Sequence, residues 1–220
     1  MAYFPMYVNI EKQPVLVVGG GIVALRKVEV LLDFGAAVLV VAPELVPEIK
    51  QLPGVCWEER EFREKDLEGC VLAVAATSDA VLNHQVSNLA KQSRIPVNVV
   101  DQKEDCTFIF PAYVKEKNLV GAFSSGGNSP VLTQYLKMEM SQILTERLGI
   151  MNENLGQVRE YVQAALPSIK MRKQLYQQLF GELQKQSEME LLTREQMIAL
   201  AESLVQTMFP TESNQAEEKL

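Results

Sequence analysis

The chain has 220 residues, of which 47% are hydrophobic and 22% charged, and its formal net charge is −7. That length and balance fit one full globular domain plus a smaller one. They argue against a nucleic-acid protein, which needs a basic face for phosphates, and no apolar run approaches the roughly 18 residues of a membrane-spanning helix. The opening MAYFPMYVNI lacks a basic n-region and an apolar h-region, so no signal peptide is expected. Cys56, Cys70 and Cys106 are widely spaced and form no C-x-x-C pair, which predicts neither a disulfide framework nor a zinc site. The cytoplasm is the expected compartment.

Residues 14–18 are a short apolar run, read as a buried strand. Residues 22–34 have helical periodicity and stop at Gly35. Residues 37–42 predict a second strand, residues 44–52 a short helix, and residues 55–59 a third strand. CVLAVAA, residues 70–76, is nearly all apolar, as a strand covered on both faces requires. Ser78 or Asp79 can cap a helix running to about Arg94, with capping the safer role for Ser78. Residues 96–100 complete five strands that alternate with helices, the pattern of βαβ units on a parallel sheet.

Beyond Asp101 the pattern changes. Residues 108–114 and 119–124 are strand-like and joined by the polar turn KEKN, which predicts a hairpin. SSGGNSP then leads into a long amphipathic helix over residues 130–148. From Asn152 onward the spacing of Leu, Met and Phe is helical, until the polar, frayed end TESNQAEEKL. The expected fold class is α/β. A Rossmann-like domain (1–112) is followed by a β-hairpin/helix module (113–149) and an all-α C-terminal domain (150–220).

Within VLVVGGGIVALRK, Gly19, Gly21 and Ala24 fit G-x-G-x-x-A. The first glycine allows the tight strand-to-helix turn, the second admits a pyrophosphate against the backbone, and the alanine lets the helix pack on the sheet. The helix N-terminus offers free N–H groups and the positive end of its dipole. The motif follows a strand and opens a helix, the context that makes it meaningful. Gly19, Gly20, Gly21, Ile22, Val23 and Ala24 are therefore the expected dinucleotide cradle. The second strand ends in VLVVAPEL, with no acid directly at its end; Glu44, after Pro43, either reaches the ribose or begins the next helix. No arginine stands there to hold a 2′-phosphate, which favours NAD over NADP.

Four stretches carry a more specific likeness: YVNIEKQPVLVVGGGIVALRKVEVLLDFGAAVLVVAPEL, LAVAATSDAVLNHQVS, PVNVVDQKEDCTFIFPA and AFSSGGNSPVLTQYLK. In order and without large gaps over residues 1–149, they resemble the precorrin-2 dehydrogenase family, which is similar to the N-terminal part of siroheme synthase. That resemblance implies NAD-dependent oxidation of precorrin-2 to sirohydrochlorin in siroheme biosynthesis. Some members also insert ferrous iron, so a bifunctional dehydrogenase and ferrochelatase is the alternative. A chelatase retaining NAD as a relic and a non-enzymatic NAD sensor are weaker readings, since a sensor gives no reason for NVVD followed by SSGG-x-SP. The larger fused enzymes add a methyltransferase; a chain of this length is not expected to contain one.

In NVVD, Asp101 matches the family's catalytic aspartate. A carboxylate at the carboxyl edge of an open α/β sheet can take a proton beside a nicotinamide, although an aspartate after a strand often only caps a turn. Thr77 has a hydroxyl that can face the cofactor or serve a cap. Asn98 is read as a buried, hydrogen-bonded amide. Ser124, Ser125, Gly126 and Gly127 form a loop whose backbone donors, at a helix start with Ser129 as cap and Pro130 next, suit a carboxylate of the polycarboxylate substrate. The bland alternative is a hinge and cap. In some family members the serine matching Ser125 carries a phosphate, which would compete for the same donors.

The lone His84 cannot build a metal site and is read as structural or surface, so no metal is expected. Met138, Met140 and Met151 are read as packing residues. Of Arg26 and Lys27 on the first helix, one can support the phosphates, or both are solvated. The hairpin region (Phe108, Phe110, Tyr113, Val120, Phe123) carries more apolar surface than one following helix easily covers, that helix adds a broad apolar face of its own (Leu132, Tyr135, Leu136, Met140, Ile143, Leu144), and an isolated hairpin is marginal. A homodimer is expected, as the resemblance also implies.

Overall fold

The computed structural model describes residues 3–210; the expected frayed end, TESNQAEEKL, lies outside them. The chain forms two compact units, Met1–Phe110 and Pro111–Leu220.

The first unit is built on five strands: β1 (Pro14–Val18), β2 (Ala37–Ala42), β3 (Val55–Glu59), β4 (Leu72–Ala75) and β5 (Val97–Val99). They form one parallel sheet in the order β3-β2-β1-β4-β5. The connections are α1 (Ile22–Asp33), α2 (Pro47–Gln51), a 3₁₀ turn (Glu64–Leu67) and α3 (Ala80–Gln92). Both faces are covered, which is why β1 is apolar without alternation. Val15 and Val17 pack with Ala24, Val28 and Leu31 of α1. Leu16 and Val18 face the other way, into the cluster that holds Val86 and Ala90 of α3. β1 pairs with both β2 and β4. The strand order reverses there, which opens the crevice where such folds bind ligands.

Several boundaries move from their sequence expectation. The second helix starts at Pro47, not residue 44, because the Val46 N–H is committed to the Gly20 carbonyl (2.9 Å) and proline suits the first helical position. Asp79, not Ser78, caps α3: its Oδ1 accepts from the N–H groups of Val81 (2.8 Å) and Leu82 (3.2 Å). β5 ends at Val99, so Asp101 stands in the turn beyond it.

A short 3₁₀ turn, Lys103–Asp105, follows. It is pinned to α3, where Asp105 meets His84 Nδ1 at 2.8 Å and its carbonyl accepts from Ser87 Oγ at 2.7 Å. The chain then runs back beside β5. The Thr107 N–H donates to the Val97 carbonyl (2.8 Å), and Asn98, which is buried, donates through Nδ2 to the Phe108 carbonyl (3.1 Å). Phe108 and Phe110 therefore do not belong to the hairpin: the Phe108 carbonyl is spent on Asn98, Pro111 has no N–H to pair, and Phe110 packs on the core cluster of α1.

The second unit begins with an antiparallel hairpin, β6 (Ala112–Glu116) and β7 (Leu119–Phe123). Its helices are α4 (Pro130–Ile143), α5 (Glu146–Gln157), α6 (Arg159–Ala165), α7 (Ile169–Lys185) and α8 (Arg194–Met208). The single helix expected over residues 130–148 is two. Leu144 turns inward and is buried near Gly121, and Thr145 takes extended backbone before α5. α5 then lies so close to the hairpin that a Cβ on Gly149 would stand 2.9 Å from the Glu116 carbonyl oxygen. Met151, Val158, Val162, Leu175, Leu179 and Met197 form the helical core. Met151 packs as expected; Met138 does not, being exposed on α4.

Candidate nucleotide-binding and catalytic site

The three glycines after β1 do three different things. Gly19 has φ +125°, and a Cβ there would lie 2.4 Å from the Ala76 carbonyl oxygen at the end of β4. Only glycine satisfies both conditions. Gly20 faces the loop after β2, where a Cβ would stand 2.0 Å from the Glu44 carbonyl oxygen. Both are required by neighbouring backbone and would be glycine without any ligand. Gly21 is the exception: nothing lies within 4 Å of its Cβ position, and it opens α1 with φ −87° and no side-chain cap. The first-turn N–H groups of α1 thus have no side-chain cap, and no acidic residue in that turn neutralises the helix dipole. Ile22 and Val23 are exposed beside it, while Ala24 is buried against the sheet. This cradle fits a pyrophosphate by its donors and its space.

The steric reading makes a prediction. Gly20→Ala is expected to destabilise the fold by about 1–3 kcal/mol, the usual cost of overpacking, read as a lower midpoint in thermal unfolding. An unchanged midpoint would show that the β2 loop does not press on Gly20.

Pro43 and Glu44 follow β2 directly, and both are exposed. Glu44 is not part of α2; its carboxylate stands in a loop fastened to the glycine turn through the Val46–Gly20 bond. Thr77, after β4, is committed locally. Its Oγ1 lies 2.8 Å from Asn83 Oδ1, and its carbonyl accepts from Asn83 Nδ2 (3.0 Å). It shapes the wall of the crevice through its backbone.

Asp101 is exposed and has φ +59°. Left-handed backbone is uncommon for any residue with a Cβ, though aspartate and asparagine tolerate it best. Such strain persists only where the surroundings impose it; here the Val100 N–H bonds the Ala75 carbonyl (2.9 Å) on one side and the Lys103–Asp105 turn is pinned on the other. Lys27, which the sequence left between phosphate support and solvation, also stands in this neighbourhood. Arg26 is exposed, but Lys27 is half-buried, with its ammonium 4.2 Å from the centroid of the Phe110 ring. Burial lowers its pKa, opposed by the nearby Cys106 and Asp101.

In the second unit, the SSGG loop is held by its own serines. Ser124 Oγ accepts from the Gly126 N–H (3.1 Å), Ser125 Oγ from the Ser129 N–H (3.0 Å), and Ser129 Oγ from the Leu132 N–H (3.1 Å). Gly126 and Gly127 both have positive φ, at +65° and +85°. The Gly126 N–H is therefore not a free donor as its sequence suggests. A serine two residues earlier competes for it in a local turn. A separate cleft of about 650 Å³, lined by Glu64, Lys65, Glu68, Cys70 and Ile95, lies at the amino ends of β4 and β5. That is the opposite edge from the glycine turn, so it takes no part in this site.

A doubly covered parallel sheet, with a glycine turn opening onto an uncapped helix at the point where strand order reverses, defines a dinucleotide-binding domain. Residues 6–112 match the family model described as NAD(P)-binding. Among similar proteins, the siroheme synthase of Neisseria meningitidis serogroup C (strain 053442) is 41% identical over 184 residues, covering 82% of this chain and 38% of that protein. The siroheme synthase of Photorhabdus laumondii is 40% identical over the same length, covering 82% and 39%. The solved structure of SirC, a precorrin-2 dehydrogenase, superposes with a TM-score of 0.75 at 25% identity, covering 91% of this chain and 100% of that one. The chain thus carries an NAD(P)-binding domain, is homologous to siroheme synthases over most of its length, and shares the fold of a precorrin-2 dehydrogenase. It spans about two fifths of the length of the siroheme synthases it matches.

Proposed function

We propose that this chain is a precorrin-2 dehydrogenase, oxidising precorrin-2 to sirohydrochlorin with NAD in siroheme biosynthesis. The observation that carries the reading is the open, uncapped start of α1 at Gly21, which fits a dinucleotide, at the same sheet edge where Asp101 is held in strained backbone. The likeness to siroheme synthases and to SirC supplies the substrate class.

Gly19, Gly20, Gly21, Ile22, Val23 and Ala24 form the turn that binds and orients the dinucleotide, with Pro43, Glu44 and Thr77 as neighbouring walls. Glu44, exposed at the end of β2, suits a ribose hydroxyl, and this favours NAD over NADP. The nicotinamide, when bound, accepts the hydride lost from carbon. Asp101 takes the accompanying proton at a carboxylate oxygen. Ser124, Ser125, Gly126 and Gly127 hold a substrate carboxylate, chiefly through the N–H groups at the start of α4. Anaerobic incubation with precorrin-2 and NAD tests the whole reading. NADH and sirohydrochlorin are expected in equal amounts, and no NADH from folded protein would end it.

The same reading takes the enzyme as a cytoplasmic homodimer, with residues 113–149 as its dimerisation module and residues 150–220 as a helical domain. Its support is the apolar side of α4, which has no buried residue; Leu132 and Tyr135 are 50% and 52% exposed. A stripe of that size on a helix is normally covered. Leu136→Glu is expected to shift the protein from dimer to monomer in sedimentation at micromolar concentration and to lower activity with it. A wild-type protein that sediments as an active monomer would overturn the dimer.

A further inference from the structure

Lys27 is placed in a way that its aliphatic stem alone does not explain. It lies on α1 between the buried Ala24 and the buried Leu31, and its stem runs toward the cluster that contains Val100 and Phe110. Its ammonium ends over the Phe110 ring, 4.2 Å from the centroid, on the segment that returns from Asp101. The carboxylate that bears on it is that of Asp101. Among the described residues no carboxylate lies within ion-pair distance of it. A lysine ammonium has three donors, and an aromatic face satisfies only part of its charge. Half-buried and held in one direction, it remains able to bind an anionic oxygen.

Two anions come near this edge on the reading above: the cofactor's pyrophosphate and the substrate's carboxylates. The pyrophosphate belongs at Gly21, about 9 Å along the helix axis from Lys27 at 1.5 Å per residue. The ammonium is held over the Phe110 ring, on the segment that returns from Asp101. We propose that Lys27 is a substrate-binding residue that receives a carboxylate of the tetrapyrrole beside Asp101, with Phe110 holding its ammonium in place. This rests on the dehydrogenase reading for the identity of the substrate. It also answers an electrostatic difficulty: a chain of net charge −7 repels a polycarboxylate unless a cation stands at the point of contact.

The test uses the full-length protein with Lys27→Met, which keeps the stem and removes the charge, and Lys27→Arg, which keeps the charge. Lys27→Gln substitutes if the methionine variant does not fold. Equilibrium binding of sirohydrochlorin and of NAD is measured separately under anaerobic conditions, together with thermal unfolding. The expected result is sirohydrochlorin affinity about tenfold weaker in Lys27→Met, which is about 1.4 kcal/mol, with NAD affinity and unfolding midpoint as in the wild type. Lys27→Arg should recover most of the loss. Unchanged sirohydrochlorin binding in the neutral variant overturns the proposal, as does a loss confined to NAD, or one that follows a fallen midpoint. Wild-type turnover of precorrin-2 is assayed alongside. Its absence would remove the dehydrogenase reading, while the binding comparison would still decide the role of Lys27.

Discussion

Gly21→Asp is expected to abolish NAD binding and leave the fold intact. The position has open space where the Cβ would go, and its φ of −87° is ordinary for a residue with a side chain. Aspartate is moreover a favoured helix cap, so the unfolding midpoint should hold or rise slightly. The new carboxylate would occupy the positive end of α1 and satisfy donors that a pyrophosphate needs. Two like charges at 4 Å repel by about 4 kcal/mol at an effective dielectric near 20, roughly a thousandfold in affinity. Calorimetric titration with NAD and thermal unfolding together decide the matter. A stable variant that binds NAD normally would remove the glycine turn from the site. Gly20→Ala is its counterpart: there the loss is expected in stability, because backbone and not ligand occupies the space.

Asp101→Asn is expected to lower the turnover of precorrin-2 by about a hundredfold or more, the range for losing a positioned general base, with NAD affinity within about twofold of wild type. Asparagine is the informative substitution. Asp101 has φ +59°, and asparagine tolerates that backbone as well as aspartate does. Alanine would add strain of order 1 kcal/mol or more and confuse a chemical loss with a structural one. Anaerobic NADH formation is the measurement. Turnover near that of wild type would reduce Asp101 to a turn residue.

Local pattern was a good guide wherever the physics was local. The apolar runs of β1 and β4 predicted buried strands, and the parallel sheet pairs them side by side in its interior. The glycine turn between a strand and a helix announced its own geometry. Ser129 followed by Pro130 marked the start of α4 correctly, since a hydroxyl cap and a fixed φ act within a single turn. The choice between Ser78 and Asp79 was less legible, because two good caps were adjacent and only the orientation of the chain leaving β4 selected one.

The misses fall where residues distant in sequence meet. The expected helix over residues 130–148 carried an unbroken apolar pattern, yet it breaks where Leu144 turns in near Gly121 of the hairpin. Phe108 and Phe110 had the alternation of a strand, but the Asn98 amide and the α1 core claimed that segment first. Lys27 was left between phosphate support and solvation; nothing near it in sequence signals Phe110.

By itself the sequence determined the class of this protein: a parallel α/β domain with a glycine turn opening its first helix, a hairpin, then helices. Those features depend on periodicity, capping and glycine chemistry, which act over a few residues. Only the tertiary structure decided what each site residue is free to do. The Glu44 carbonyl requires Gly20 to be glycine, whereas Gly21 keeps open space for a ligand. The turn beyond β5 holds Asp101 in left-handed backbone, and Phe110 fixes the Lys27 ammonium. Each of these is a contact between segments separated by a strand or a helix. Its energy is set by close packing and burial, and no run of neighbouring residues encodes it.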